Sequence, residues 1–171
     1  MLAADQVWAE IRLSDPVELG WRCAASALAH DTYAMVTRHS WLMSTMSTHF
    51  VYGPGMARHQ DYCYAVFKLA GFTGTDLDWA VNAILMFVAG TALGDATWLS
   101  LRAQIRRTGG NEEQRLKDIG IWAKNIAQQF PRLRARIEEQ GDADPRMMGK
   151  QSFEFGVETI LDGLESRLRG K

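Results

Sequence analysis

The sequence predicts an all-α protein, a bundle of about seven helices in one globular domain. Three observations predict it. No stretch sustains the apolar–polar alternation of a half-buried strand. From Ser152 to Leu168 the chain reads SFEFGVETILDGLESRL, which sets Phe153, Val157, Ile160, Leu161, Leu164 and Leu168 on one helical stripe. Between Trp79 and Gly94 only Asn82 and Thr91 carry polar side chains, so that stretch reads as a helix apolar on every side.

Each element then has a local reason. Leu2 to Leu13 reads as a short helix with Val7, Trp8 and Ile11 on one side. Ser14-Asp15-Pro16 stops it and starts the next, with Asp15 able to cap and Pro16 suited to the first helical position. Val17 to Arg38 runs on as one helix whose sole internal breaker is Gly20. His39 to Met46 is a short helix, and Gly53-Pro54-Gly55 makes a turn of the segment from Ser47 to Gly55. Met56 to Ala70 is helical and closed by Gly71. Thr75, with Asp78 three residues on, starts a long helix that reaches Arg107 and breaks at Gly109-Gly110. Asn111 caps a helix through Phe130, and Pro131 restarts one as far as Gln140. GDADPRMMGK is an exposed, mobile connection before the C-terminal helix.

Composition removes several function classes. Hydrophobic residues make up 47% of the 171, which excludes a disordered chain. With 19 basic against 20 acidic residues there is no strong field to hold nucleic acid or an anionic membrane. Arg102, Arg106 and Arg107 cluster, but Glu112, Glu113 and Asp118 balance them and no aromatics interleave, so they read as a solvated surface. Cys23 and Cys63 are too few for a disulfide scaffold or zinc cluster, and the N-terminus lacks a secretory signal, which together predict a cytoplasmic protein. No Glu-x-x-His, Cys-x-x-Cys, His-Glu-x-x-His, Gly-x-Ser-x-Gly, P-loop or Gly-x-Gly-x-x-Gly occurs. No metal, cofactor or catalytic activity is therefore expected.

Glycines in the two most apolar segments point to an interface. Gly156 and Gly163 lie one heptad apart beside the C-terminal stripe. Each costs a helix roughly 0.8–1 kcal/mol against alanine, which suggests that another backbone comes close. In the apolar helix, Trp79, Ala83, Phe87, Gly90 and Gly94 share one face, Asn82, Leu85, Met86 and Ala89 a second, and Ile84 and Val88 a third. A helix apolar all round has to be covered all round, by a large domain or a second subunit. Gly90-x-x-x-Gly94 also raises a membrane dimer, but the apolar run falls short of the ~20 residues that span a bilayer. Asp76, Asp78 and Asp95 bracket it, and no membrane partner is expected.

These pieces resemble the C-terminal regulatory and dimerisation domain of the TetR family of ligand-responsive transcriptional repressors. FEFGVETILDGLESRL resembles the family's final dimerisation helix, and LAGFTGTDLDWAVNAILMFVAGTALGD its long interface helix with the turn before it. RHSWL and QQFPRL resemble two further landmarks, and with LSDPVELGWR they cover nearly the whole chain in family order. The family's N-terminal helix-turn-helix module has no counterpart in these residues, so DNA would be bound only through a domain not present here. Residues 1–13 would be the end of the linker helix toward that module, and 14–171 the regulatory domain.

The resemblance implies a homodimer whose four-helix interface draws two helices from each subunit, with Ala83, Phe87, Gly90, Gly94, Phe153, Gly156, Val157, Ile160, Gly163 and Leu164 at the contact. It also implies a cavity in each subunit for a small apolar or aromatic effector. Matching landmarks assigns His30, Tyr33, Met46, His49, Gln60, Cys63, Phe67, Asn82 and Met86 to that cavity. Asn82 stands out, because an amide within an apolar helix needs a partner if it is buried. Two alternatives remain open: a stand-alone α-helical sensor or carrier, and a purely structural dimerisation module with a filled core.

Overall fold

The structure, a computed structural model, describes residues 2–109, 111–141 and 145–170. Among them there are nine helices and no strand. They are α1 (Leu2–Ala9), α2 (Pro16–Leu19), α3 (Trp21–Arg38), α4 (Trp41–Thr48), α5 (Pro54–Ala70), α6 (Gly74–Arg107), α7 (Glu112–Ala127), α8 (Pro131–Gln140) and α9 (Pro145–Arg169).

Local signals set most of the boundaries. Asp15 caps α2 by accepting from the Val17 amide at 2.8 Å, and Pro16 begins that helix. The stretch expected as one helix from Val17 to Arg38 divides at Gly20, whose φ of 76° is open to glycine and takes it out of the helix. This division raises the count above seven. Gly71 closes α5 in the left-handed conformation, its amide returning to the Phe67 and Lys68 carbonyls. Asn111 caps α7 by accepting from the Gln114 amide. The expected loop GDADPRMMGK is in part helical, because α9 begins at Pro145; residues 142–144 lie outside the described residues.

The single domain expected from length resolves into two compact units. One contains the residues up to Ala96 and those from Ser152 on; the other spans Thr97–Gln151. The larger unit holds two apolar clusters. In the first, α3 (Ala24, Leu28), α5 (Cys63, Val66, Phe67), α6 (Ala80, Ile84, Val88) and α9 (Phe153, Val157, Leu161, Leu164) meet around Phe72. In the second, α1 (Ala4, Val7, Trp8) and Ile11 pack on Met35, Val36, Leu42, Val51 and Ala92. Leu13 and Tyr33 touch both clusters.

The smaller unit buries little: among its described hydrophobics only Ile105 and Ala127 are in the core class. α7 and α8 pack on each other there, and Arg106 pairs with Glu112 at 3.0 Å.

Helix α6 is buried along one stripe only. Ala80, Ile84, Val88, Ala92 and Ala96, spaced four apart, face inward with Val81. Trp79, Met86 and Leu93 are exposed, Met86 by 65%. The face read as the third, with Ile84 and Val88, is the one that meets the core. At 34 residues, α6 is long and apolar enough, by length and composition alone, to cross a membrane.

Candidate functional site

The residues expected to line an effector cavity fall into three settings. Cys63 and Phe67 are fully buried in the first cluster, packed among α3, α6 and α9. Burial pushes the Cys63 thiol up to about 12, which leaves it protonated and unreactive. His30 and Tyr33 are half-buried on α3, Met46 lies against the second cluster, and Gln60 is half-buried near the Tyr52 hydroxyl. His49, Asn82 and Met86 are exposed. Asn82 therefore needs no protein partner: the helix that carries it is covered on one side only, and its amide faces outward.

The nine do not share one site. A surface cavity of about 380 Å³ between the start of α6 and the end of α9 is lined by Phe72, Asp76, Trp79, Ala80, Ala83, Leu164 and Arg167, none of them among the nine.

What the structure does bring together is a seam of aromatic and polar side chains between α3, α6 and α9. The Phe153 ring stacks on Tyr33 at 4.3 Å and on Phe87 at 5.9 Å, and meets the His30 ring edge-on at 5.2 Å. His30 Nδ1 donates to the Ser26 carbonyl at 2.7 Å, while Nε2 lies 2.9 Å from a Glu154 oxygen. Burial disfavours its imidazolium, but the Ser26 carbonyl and the Glu154 carboxylate outweigh that and raise its pKa above the ordinary value. The Tyr33 hydroxyl donates to Asp95 on α6. Burial, reinforced by that carboxylate, pushes the phenol up to about 12. Arg22 holds α3 to α9 as well, reaching Glu158 and Asp162 at 2.6 Å each and Glu165 at 3.5 Å.

A second polar group sits where α1, α3 and α5 meet. His59 is buried, with Nε2 2.9 Å from the Thr32 hydroxyl, Nδ1 3.8 Å from Cys63 Sγ, and its ring 4.9 Å from that of Trp8. Burial lowers its pKa to about 4, so the ring is neutral at pH 7. The Asp5 carboxylate accepts from the Gly55 and Met56 amides at 3.0 and 2.9 Å, capping α5 from α1. A side chain on Gly55 would overlap the Asp5 carbonyl, so glycine is what lets the two helices touch there.

Thr32 and His59 did not stand out in the sequence, and Trp8 did so only as part of an apolar helix side. Their roles depend on which helices meet, and spacing along one helix does not carry that. Asp95 offered the one faint signal, as the first acid after the apolar run.

The ten residues expected at a dimer contact also separate. Phe153, Val157 and Leu164 are buried in the protomer's own first cluster, because the apolar stripe of α9 faces inward. Phe87 and Ile160 pack against the same cluster, partly buried. The close approach inferred at Gly156 is real but internal: a side chain there would overlap the Phe87 ring. Ala83, Gly90, Gly94 and Gly163 are exposed, and side chains added at the three glycines would meet nothing within 4 Å.

Among the described residues, no three His, Cys, Asp or Glu side chains come together in a way that could hold a metal ion.

Comparison with known proteins agrees with this architecture. The family described as "Tetracyclin repressor-like, C-terminal domain" matches residues 14–168. The chain is 26% identical over 162 residues to the HTH-type transcriptional repressor DrrR1 of Streptomyces coeruleorubidus, covering 88% of this chain and 55% of that protein. It is 31% identical over 99 residues to an HTH-type transcriptional regulator of Saccharopolyspora erythraea, covering 57% of this chain and 41% of the relative. The chain thus spans about half the length of the curated relatives it matches. The match spans residues 14–168, and the chain belongs to the C-terminal domain family of TetR-like transcriptional regulators.

Proposed function

We propose that this chain is the effector-binding and dimerisation part of a ligand-responsive transcriptional repressor. It acts by binding and not by catalysis, in the cytoplasm. DNA contact would come from a module joined ahead of it, with residues 1–13 as the end of the connecting helix and 14–171 as the regulatory domain. A small apolar or aromatic effector would bind inside the larger unit and shift the population of two arrangements, provided that it binds one better than the other.

One observation carries the dimer: the outward face of α6. Trp79 and Leu93 are 63% and 51% exposed, with Met86 between them and Ala83 and Gly90 alongside. A large exposed apolar face on a regulatory domain marks a contact surface. Gly163 on α9 is also exposed, with open space around its Cα. The same face accounts for the composition that would suit a membrane, with a second copy in place of lipid.

The test is the oligomeric state of the intact chain and of Gly163→Leu. Light scattering should report a dimer for the first, and a monomer with unchanged helicity for the second. A monomeric parent, or a variant dimer as tight as the parent, refutes the reading.

A further inference from the structure

Among the described residues, one buried side-chain nitrogen or oxygen lacks a hydrogen-bond partner: Trp8 Nε1. Trp8 is 8% exposed and stands on α1 in the second cluster. A buried donor left unpaired is costly, roughly 1–3 kcal/mol, so native interiors seldom keep one without a use.

Its neighbours cannot relieve it. His59, tilted beside it, is engaged by Thr32 through Nε2 and lies near Cys63 through Nδ1. The Asp5 carboxylate, one turn back on α1, is engaged by the Gly55 and Met56 amides. Apolar side chains complete the cluster: Met35 and Val51 are buried there, and Met43, Met46 and Met56 pack against them. Methionines are flexible and polarisable, and they reshape around an apolar guest more readily than branched side chains do.

From these observations we infer that the second cluster is the effector subsite and that the Trp8 indole N–H reads a hydrogen-bond acceptor on the ligand. The inference rests on the effector-binding reading above and gives it a chemical class. The ligand is an apolar molecule with a neutral acceptor, such as a ketone, quinone or ester carbonyl, set against the methionines. Indole nitrogen only donates, so a ligand offering a donor at that point gains nothing. A charged carboxylate is also disfavoured, because the neighbouring His59 is neutral.

The experiment uses matched probe pairs that differ at one group: 9-fluorenone against fluorene, and xanthone against xanthene. Each is titrated into the intact chain and into Trp8→β-(3-benzothienyl)alanine, an isostere with sulfur in place of the N–H. Trp8→Phe serves as a second variant. The parent should prefer each ketone over its hydrocarbon by about fivefold or more, the worth of one neutral hydrogen bond. In the isostere that preference should fall to about one, while hydrocarbon affinity stays unchanged and the thermal midpoint of the free chain rises or holds, since the unpaired donor is gone. If ketone and hydrocarbon bind the parent equally, or the preference survives in the isostere, the role of Trp8 is refuted and the effector cavity stands. If no probe binds the parent, the cavity reading falls with it. A lowered midpoint in the isostere without loss of preference would make the N–H structural and overturn the inference.

Discussion

Gly156 and Gly163 stand one heptad apart on α9 and meet opposite surroundings. The first lies against the Phe87 ring, which occupies the space where a side chain would go; the second has nothing within 4 Å of an added Cβ. The same contrast divides the neighbouring helix. The inward stripe of α6 from Ala80 to Ala96 is sealed, while Trp79, Met86 and Leu93 are left uncovered. Two glycines with identical propensity costs therefore serve different ends. One permits packing within the protomer, and the other leaves its outer surface flat. Substituting both at once would confound the two.

The largest expected effect breaks the sealed side. Gly156→Leu forces a branched side chain into the Phe87 ring and should cost about 3 kcal/mol, the upper end for overpacking. Urea unfolding of the variant should show the midpoint falling at constant slope. An unaltered midpoint would mean that α9 and α6 do not approach as closely as the structure has them.

Acid should act on the sealed interior next. His59 is held neutral with a pKa of about 4, against an ordinary 6.5. The unfolded chain takes up a proton that the folded chain refuses, so stability is full above about pH 6.5 and is lost as pH falls toward 4. The loss is on the order of 3 kcal/mol. His59→Gln should flatten that limb of the stability profile. A variant with the parent's acid slope would assign the loss to other groups.

The smallest effect lies on the half-open seam. His30 has a raised pKa, so its pairing with Glu154 contributes below the unfolded value and fades as pH rises through the folded one. Both side chains are more than a third exposed, and solvent screens the pair. Glu154→Gln should lower the His30 titration midpoint, followed by NMR, with little change in unfolding free energy. An unmoved midpoint would detach Glu154 from the seam.

How much of this was legible in the sequence depends on the range of the interaction. Caps and breakers act over a few residues, so Asp15, Gly71, Asn111 and Pro131 mark the element boundaries where the structure has them. The division at Gly20 was harder to see, because a lone glycine inside a helical pattern is compatible with either outcome until its φ is known. The apolar helix was legible as a helix, but its covered side was not. With every face greasy, periodicity could not say that Ala80, Ile84, Val88 and Ala92 point inward, and so Asn82 and Met86 were placed in an interior that they do not face. The polar contacts around Trp8, His59 and Asp5 join helices some fifty residues apart, such as Asp5 with Gly55. No spacing rule along one helix reaches that far.

The joint between α1 and α5 has a mechanical consequence. Asp5 holds the Gly55 and Met56 amides, the Trp8 ring meets the tilted His59 ring, and Arg58 reaches the Ala9 carbonyl at 3.4 Å, so successive turns of one helix are fastened to the other. While those contacts hold, a rotation of α5 would carry α1 with it. Any segment spliced on ahead of α1 would be steered from the far end of α5, where Phe67 sits in the core, as a rudder is steered from its tiller.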